Sequence, residues 1–239
     1  MMSRAVVAVV VLLLASATAL AQSIPLPREK PDATSKTEDA ASETDAAASH
    51  TEDVVQPSTC FQDMETAGVV ARRAEGFIGD GECLIEDPVV LEAVDTRNGL
   101  VSLPAHPILD CRFAAAFAAW LSEVVSPVAA SLLGSPVDEV VTGPGHQCRD
   151  RAGGRLSEHA IGNAVDVSGI RLVGGRRVGV ETMVTARDAD LEFLRAISAS
   201  ACGYFTTVLG PGSDAAHSDH LHLDLALRGI AEFRICMAR

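Results

Sequence analysis

The chain has 239 residues, 19 of them basic and 32 acidic, for a formal net charge of −13 at pH 7. That balance excludes a basic nucleic-acid footprint and offers no attraction to an anionic membrane surface. No nucleic-acid partner is therefore expected, and the length suits one folded domain behind short N-terminal segments.

Met1 to Arg4 is a short positive start, Ala5 to Leu14 is an unbroken apolar run, and Ala19-Leu20-Ala21 closes with small residues. This is the order of a secretory signal peptide, residues 1–21. The apolar run is far shorter than the ~20 residues a spanning helix needs, so no stable membrane insertion is expected after cleavage. The protein is placed by this reading in the periplasm or cell envelope. Residues 22–58 are rich in Ala, Ser, Thr, Asp, Glu and Pro and contain no aromatic residue. They cannot bury enough apolar surface to offset their ordering entropy, and a disordered acidic linker is expected. The folded domain is then 59–239, carrying about −9 of the net charge.

All six cysteines, Cys60, Cys83, Cys111, Cys148, Cys202 and Cys236, fall in that domain. An even number in an exported chain reads as three disulfides, and no Cys-x-x-Cys is present to suggest a cysteine zinc site or a redox pair. Proximity in sequence suggests Cys60–Cys83, Cys111–Cys148 and Cys202–Cys236. Cys111 to Val125 is alanine-rich and apolar, which predicts a buried helix with Asp110 as its N-cap and Pro127 closing or kinking it. Trp120 is assigned to the core and His106 to a structural role. Strands are predicted at Val137–Thr142, Asn163–Ser168, Val178–Thr182, Tyr204–Leu209 and His220–Leu227, and a helix at Asp188–Ser200. Irregular alternation of helices and strands points to an α+β fold, a small antiparallel sheet with flanking helices.

Four of the seven histidines lie in two short segments, Ser157 to Asp166 and His217 to Asp224. On a strand, His220, His222 and Asp224 share one face while Leu221, Leu223 and Leu225 share the other. Asp166 likewise alternates with Val165 and Val167, and His159 arrives from the preceding loop. Two imidazole donors with one carboxylate, on the polar face of a sheet, suit a zinc ion that keeps an open position.

The pattern Ser157-x-His159-x-x-Gly162-x-Ala164-x-Asp166 followed by His220-x-His222 resembles the superfamily of lysostaphin, D-alanyl-D-alanine metallopeptidases and hedgehog domains. Within it, the chain is most similar to the extensin-like C-terminal family of bacterial envelope proteins. The resemblance extends to Cys148-Arg149 and to Gly203-Tyr204-Phe205. It implies one zinc per chain held by His159, Asp166 and His222, with His220 polarising the substrate carbonyl or its oxyanion. Asp219 stands where relatives place a glutamate base, His217 matches an extra site histidine and is the alternative base, and Arg149 matches an arginine that grips a carboxylate or the transition state. The implied activity is that of a zinc metallopeptidase on peptidoglycan stem peptides or crosslinks, a D-alanyl-D-alanine carboxypeptidase or endopeptidase. The same resemblance also admits a zinc-containing module that binds or regulates the cell wall without hydrolysis.

Overall fold

The computed structural model describes residues 59–74, 79, 81–151, 153–186, 188–229 and 233–238, all within the compact unit Val54–Arg239. The expected signal peptide and linker, 1–21 and 22–58, lie outside the described residues.

The chain opens with helix α1 (Cys60–Thr66), strand β1 (Val69–Arg73) and a 3-10 turn at Gly81–Cys83. Strands β2 (Pro88–Thr96), β3 (Gly99–Ser102) and β4 (Ile108–Asp110) follow, then helix α2 (Cys111–Trp120). Asp110 caps α2 as predicted, accepting from the Arg112 N–H at 3.0 Å. The helix does not stop at Pro127. It passes through a π segment at Leu121–Val125 into α3 (Ser126–Leu132), with the Ser126 N–H bonded to Leu121 O. A π register relieves the clash and the missing donor that proline brings to an α ladder.

Strand β5 (Val137–Thr142) leads to a hairpin of β6 (Asp150–Arg151) and β7 (Arg155–Leu156), then a 3-10 turn at Glu158–Ile161. Beyond it run β8 (Ala164–Leu172), β9 (Arg177–Gly179), helix α4 (Ala189–Tyr204), β10 (Thr207–Leu209), β11 (Leu221–Asp224) and β12 (Ile235–Met237). The expected strand at Val178–Thr182 is only half strand, because Val180–Val184 turns into a 3-10 helix. Tyr204, assigned to a strand, ends α4 instead.

Ten strands form one sheet in the order β1-β2-β3-β5-β8-β11-β10-β12, with β4 on β2 and β9 on β8. The sheet is therefore large, not small. It is mostly antiparallel; β3–β5 and β10–β12 are parallel. Its N-terminal third escaped the sequence reading because β2 is buried almost throughout and shows no period-two alternation. The core includes Val165 and Val167 of β8, Leu221 and Leu223 of β11, and the aromatic group Phe113, Phe117, Trp120 and Phe205. Trp120 is 1% exposed, and its indole N–H donates to Ser200 Oγ at 3.1 Å. His106 is the one non-glycine described residue with positive φ, at +46°.

Three disulfides staple the domain: Cys60–Cys111, Cys83–Cys148 and Cys202–Cys236. Only the last agrees with the pairing expected from proximity. Helix α1 packs beside α2, and the Gly81–Cys83 turn packs beside the Glu158–Ile161 turn. Tertiary placement thus brings Cys111 to Cys60 and Cys148 to Cys83. Loop-closure entropy grows too slowly with length to favour the shorter loops against that placement.

Candidate metal centre

The centre lies where β8 and β11 pair. Their register sets His222 opposite Asp166 and Asp224 opposite Ala164, so the two polar side chains stand side by side on the face away from the core. His159 comes from the 3-10 turn just before β8. Ser157 caps that turn, accepting from the His159 N–H at 3.4 Å, and Gly162 ends it in the left-handed region at φ +67°. A Cβ at Gly162 would meet Asp110 N at 2.7 Å and Ile85 Cδ1 at 2.8 Å. The Ser-x-His-x-x-Gly spacing is therefore the local chemistry of a capped turn that delivers one buried histidine to the strand beside it.

His159 Nε2, His222 Nδ1 and Asp166 Oδ1 converge. The separations are 3.2 Å between the two nitrogens, 3.3 Å from His159 to Asp166 and 3.0 Å from His222 to Asp166. The remaining ring nitrogens are committed. His159 Nδ1–H donates to the carbonyl oxygen of Gly145 at 2.8 Å, and His222 Nε2–H donates to Asp224 Oδ2 at 3.1 Å. A backbone carbonyl and a carboxylate can only accept, so they assign the tautomers. When His222 is neutral in that tautomer, three lone pairs face one point and repel one another unless a cation, or a proton on His222 Nδ1 shared with Asp166, sits among them. Four donors at about 2.0–2.1 Å around one tetrahedral ion would be about 3.3–3.4 Å apart. The observed spacing fits that frame.

Electrostatics points the same way. Burial opposes charge on His222, but its hydrogen bonds to Asp166 and Asp224 outweigh it and push the imidazole up to about 9. Burial would raise Asp166, yet the partnership with His159 and His222 holds its carboxyl well below the usual range. A proton on His222 thus takes the cation's part in the metal-free chain.

Around this core stand the other predicted residues. His220 precedes β11; its Nδ1–H donates to Asp219 Oδ1 at 2.9 Å and its Nε2 lies 3.5 Å from Asp166 Oδ1. Asp219 lies outside the strand, as the sequence reading required, but its side chain is 73% exposed and turned to His220. His217 is packed over the centre, with ring centroids 5.3 Å from His220 and 5.6 Å from His222. Its Nδ1–H donates to Asp214 Oδ1 at 2.7 Å. A cleft of about 740 Å³ opens here, and Arg149, His159, His217 and His222 all line it. Arg149 itself is exposed and donates to Gln147 Oε1 at 3.2 Å.

Three contributors were not foreseen: the Gly145 carbonyl, Asp224 and Asp214. Asp224 is 2% exposed and was placed on the histidine face without a role; its spacing two residues after His222 was the available signal. Asp214 signals itself as a turn cap, accepting from the N–H groups of Ala216 and His217. The Gly145 carbonyl carries no side-chain signal at all. Gly145 has φ +77°, and a Cβ there would come within 2.5 Å of Ile108 O, so this close approach admits only glycine.

Comparison with curated proteins and with solved structures gives no match. Comparison with protein families matches residues 58–237, nearly the whole of the described domain, to the family "Extensin-like protein C-terminus". The chain therefore belongs to the extensin-like C-terminal family.

Proposed function

We propose that the domain is a zinc-dependent peptidase of the cell envelope, acting on stem peptides or crosslinks of peptidoglycan. It would be a branch of the lysostaphin, D-alanyl-D-alanine metallopeptidase and hedgehog superfamily. The observation that carries this reading is the convergence of His159 Nε2, His222 Nδ1 and Asp166 Oδ1 with both histidine tautomers held from behind. Export is supported by the three disulfides, which persist in oxidising compartments.

His159, Asp166 and His222 would hold one zinc ion per chain. Bound there, zinc supplies Lewis acidity, which lowers the pKa of a water and polarises the scissile carbonyl. The chain's own residues do the proton work. Asp214 fixes the proton of His217 on Nδ1, which leaves Nε2 as the base that takes a proton from water and returns it to the leaving amine. That pairing favours His217 as the base over Asp219, whose carboxylate is turned to His220. A protonated His220 Nε2 can donate to the developing oxyanion. Arg149, at the rim of the cleft, is placed to bind a substrate carboxylate.

Incubating the zinc-loaded protein with purified peptidoglycan and identifying the released muropeptides tests the reading. His217→Ala is expected to keep its zinc and lose hydrolysis by roughly 10²–10⁴-fold. Binding to peptidoglycan with no bond cut by the wild type would replace the enzyme with a wall-binding module.

A further inference from the structure

The hairpin β6–β7 carries a feature that folding alone does not explain. Arg151 and Arg155 are directly opposite each other in the antiparallel pair. Like charges at directly opposed positions oppose pairing, and a turn of two glycines, Gly153-Gly154, with φ of +95° and +71°, brings the strands back on each other at that point. The domain has acids to spare, since the chain carries −13 overall. Seven other arginines take a carboxylate partner, at 2.6 to 3.7 Å. Among the described residues neither Arg151 nor Arg155 has one, nor do Arg97, Arg149, Arg195 and Arg234. What sets Arg151 apart is its Nε, buried with no hydrogen-bond partner among the described residues. Both side chains line the same cleft as His159 and His222.

Guanidinium groups present a planar fork of donors that matches a carboxylate two bonds at a time. A guanidinium with a buried, unpartnered Nε at Arg151, held opposite the exposed guanidinium of Arg155, costs stability in the free protein and is relieved when an anion enters. We infer that Arg151 and Arg155 form a carboxylate-binding subsite beside the metal centre, which recognises a peptide bearing a free acidic side chain near the bond presented to that centre. The choice of a peptide carboxylate as the ligand rests on the peptidase reading; the anion site itself rests on the hairpin. Cys83–Cys148 anchors the chain just before this hairpin, so the subsite is held on a covalently fixed base.

Two labelled peptides test it, Ala-Glu-Lys-D-Ala-D-Ala and its Gln counterpart, with binding to the full chain read by fluorescence anisotropy and peptide integrity by mass spectrometry. The Glu peptide should bind about tenfold or more tightly than the Gln peptide, the scale of a charge-assisted bond. The preference should shrink as salt rises. In the double variant Arg151→Ala/Arg155→Ala the two peptides should bind alike, with zinc content unchanged and melting temperature no lower. Arg151→Lys/Arg155→Lys should keep part of the preference, because charge remains but the fork is lost. Equal affinities for the two peptides in the wild type overturn the subsite, as does a preference that survives the double Ala variant. Selective binding by a protein that cuts no peptidoglycan leaves the subsite standing and removes the peptidase reading. Cutting both peptides equally, with equal affinity, removes the subsite alone.

Discussion

Asp224→Asn is the most informative single change. Asp224 is 2% exposed and accepts from the Nε2–H of His222 at 3.1 Å, while it also accepts from the Ala226 N–H at 3.0 Å. The substitution keeps size and shape, and with its oxygen held by the Ala226 N–H it places an NH₂ group where Oδ2 of the carboxylate faces His222. An amide donor there requires an unprotonated Nε2, and a neutral ring must then carry its proton on Nδ1, the atom that points at His159 and Asp166. The donor set would lose one of its three lone pairs. Removing the outer partner of a metal-bound histidine typically costs 10–100-fold in metal affinity, about 1.4–2.8 kcal/mol. Competition of the purified variant against a chromophoric zinc chelator measures this directly, with thermal melting as the control for folding. An Asp224→Asn protein that binds zinc as tightly as the wild type would refute the tautomer argument and, with it, the reason for assigning Nδ1 of His222 to the metal.

Stability of the metal-free domain should depend on pH in a defined sense. His222 is raised from its usual 6.5 to about 9, so its contribution is fully present below about 6.5 and is lost as pH rises through about 9. Denaturant midpoints of chelator-treated protein should fall across that window, and zinc loading should abolish the fall; a flat profile without metal contradicts the ion pair. Gly162→Ala should destabilise by more than about 1 kcal/mol, because the residue is held at φ +67° with no room for a Cβ, and zinc affinity should drop as the His159 turn shifts. Urea titration and chelator competition on one sample read both, and an unchanged midpoint counts against the turn. Phe205→Ala removes a fully buried ring that lies 5.7 Å from Phe113 and 5.9 Å from Trp120, and should cost about 3–5 kcal/mol; a loss below 1 kcal/mol in equilibrium unfolding would show that the core collapses around the gap.

The half of the molecule that builds the centre was legible, because its signals are local. Ser157, His159 and Gly162 form one capped turn, and the alternation in His220 to Leu225 states which face of β11 meets the core. The N-terminal half was not. Strand β2 has Val89, Val90 and Leu91 buried in succession, and such a run shows no period from which a strand can be told from a buried helix. Helix α2 was recognised and a kink at Pro127 was one of two readings, but the π segment was not foreseen, since it is a tertiary accommodation with no fixed composition. Among the site residues, spacing marked a metal-capable cluster, and the family resemblance singled out His159, Asp166 and His222, which the structure brings together. The choice between Asp219 and His217 as the base stayed open there, because the orientation of Asp219 and the pairing of Asp214 with His217 depend on how the loop before β11 folds.

The interleaving of two disulfides bears on how the protein is made. In a chain threaded through a membrane N-terminus first, Cys60 and Cys83 reach the far side before Cys111, and Cys111 before Cys148. An oxidant that joins thiols in order of arrival would link Cys60 to Cys83, whereas the native bridges are Cys60–Cys111 and Cys83–Cys148. If the chain is exported in this way, maturation would need thiol exchange to reshuffle the early bridge. In a host lacking an isomerase for that exchange, an exported chain should accumulate with Cys60–Cys83 and Cys111–Cys148 in place of the native bridges, and the arginine hairpin would lose its Cys83–Cys148 anchor.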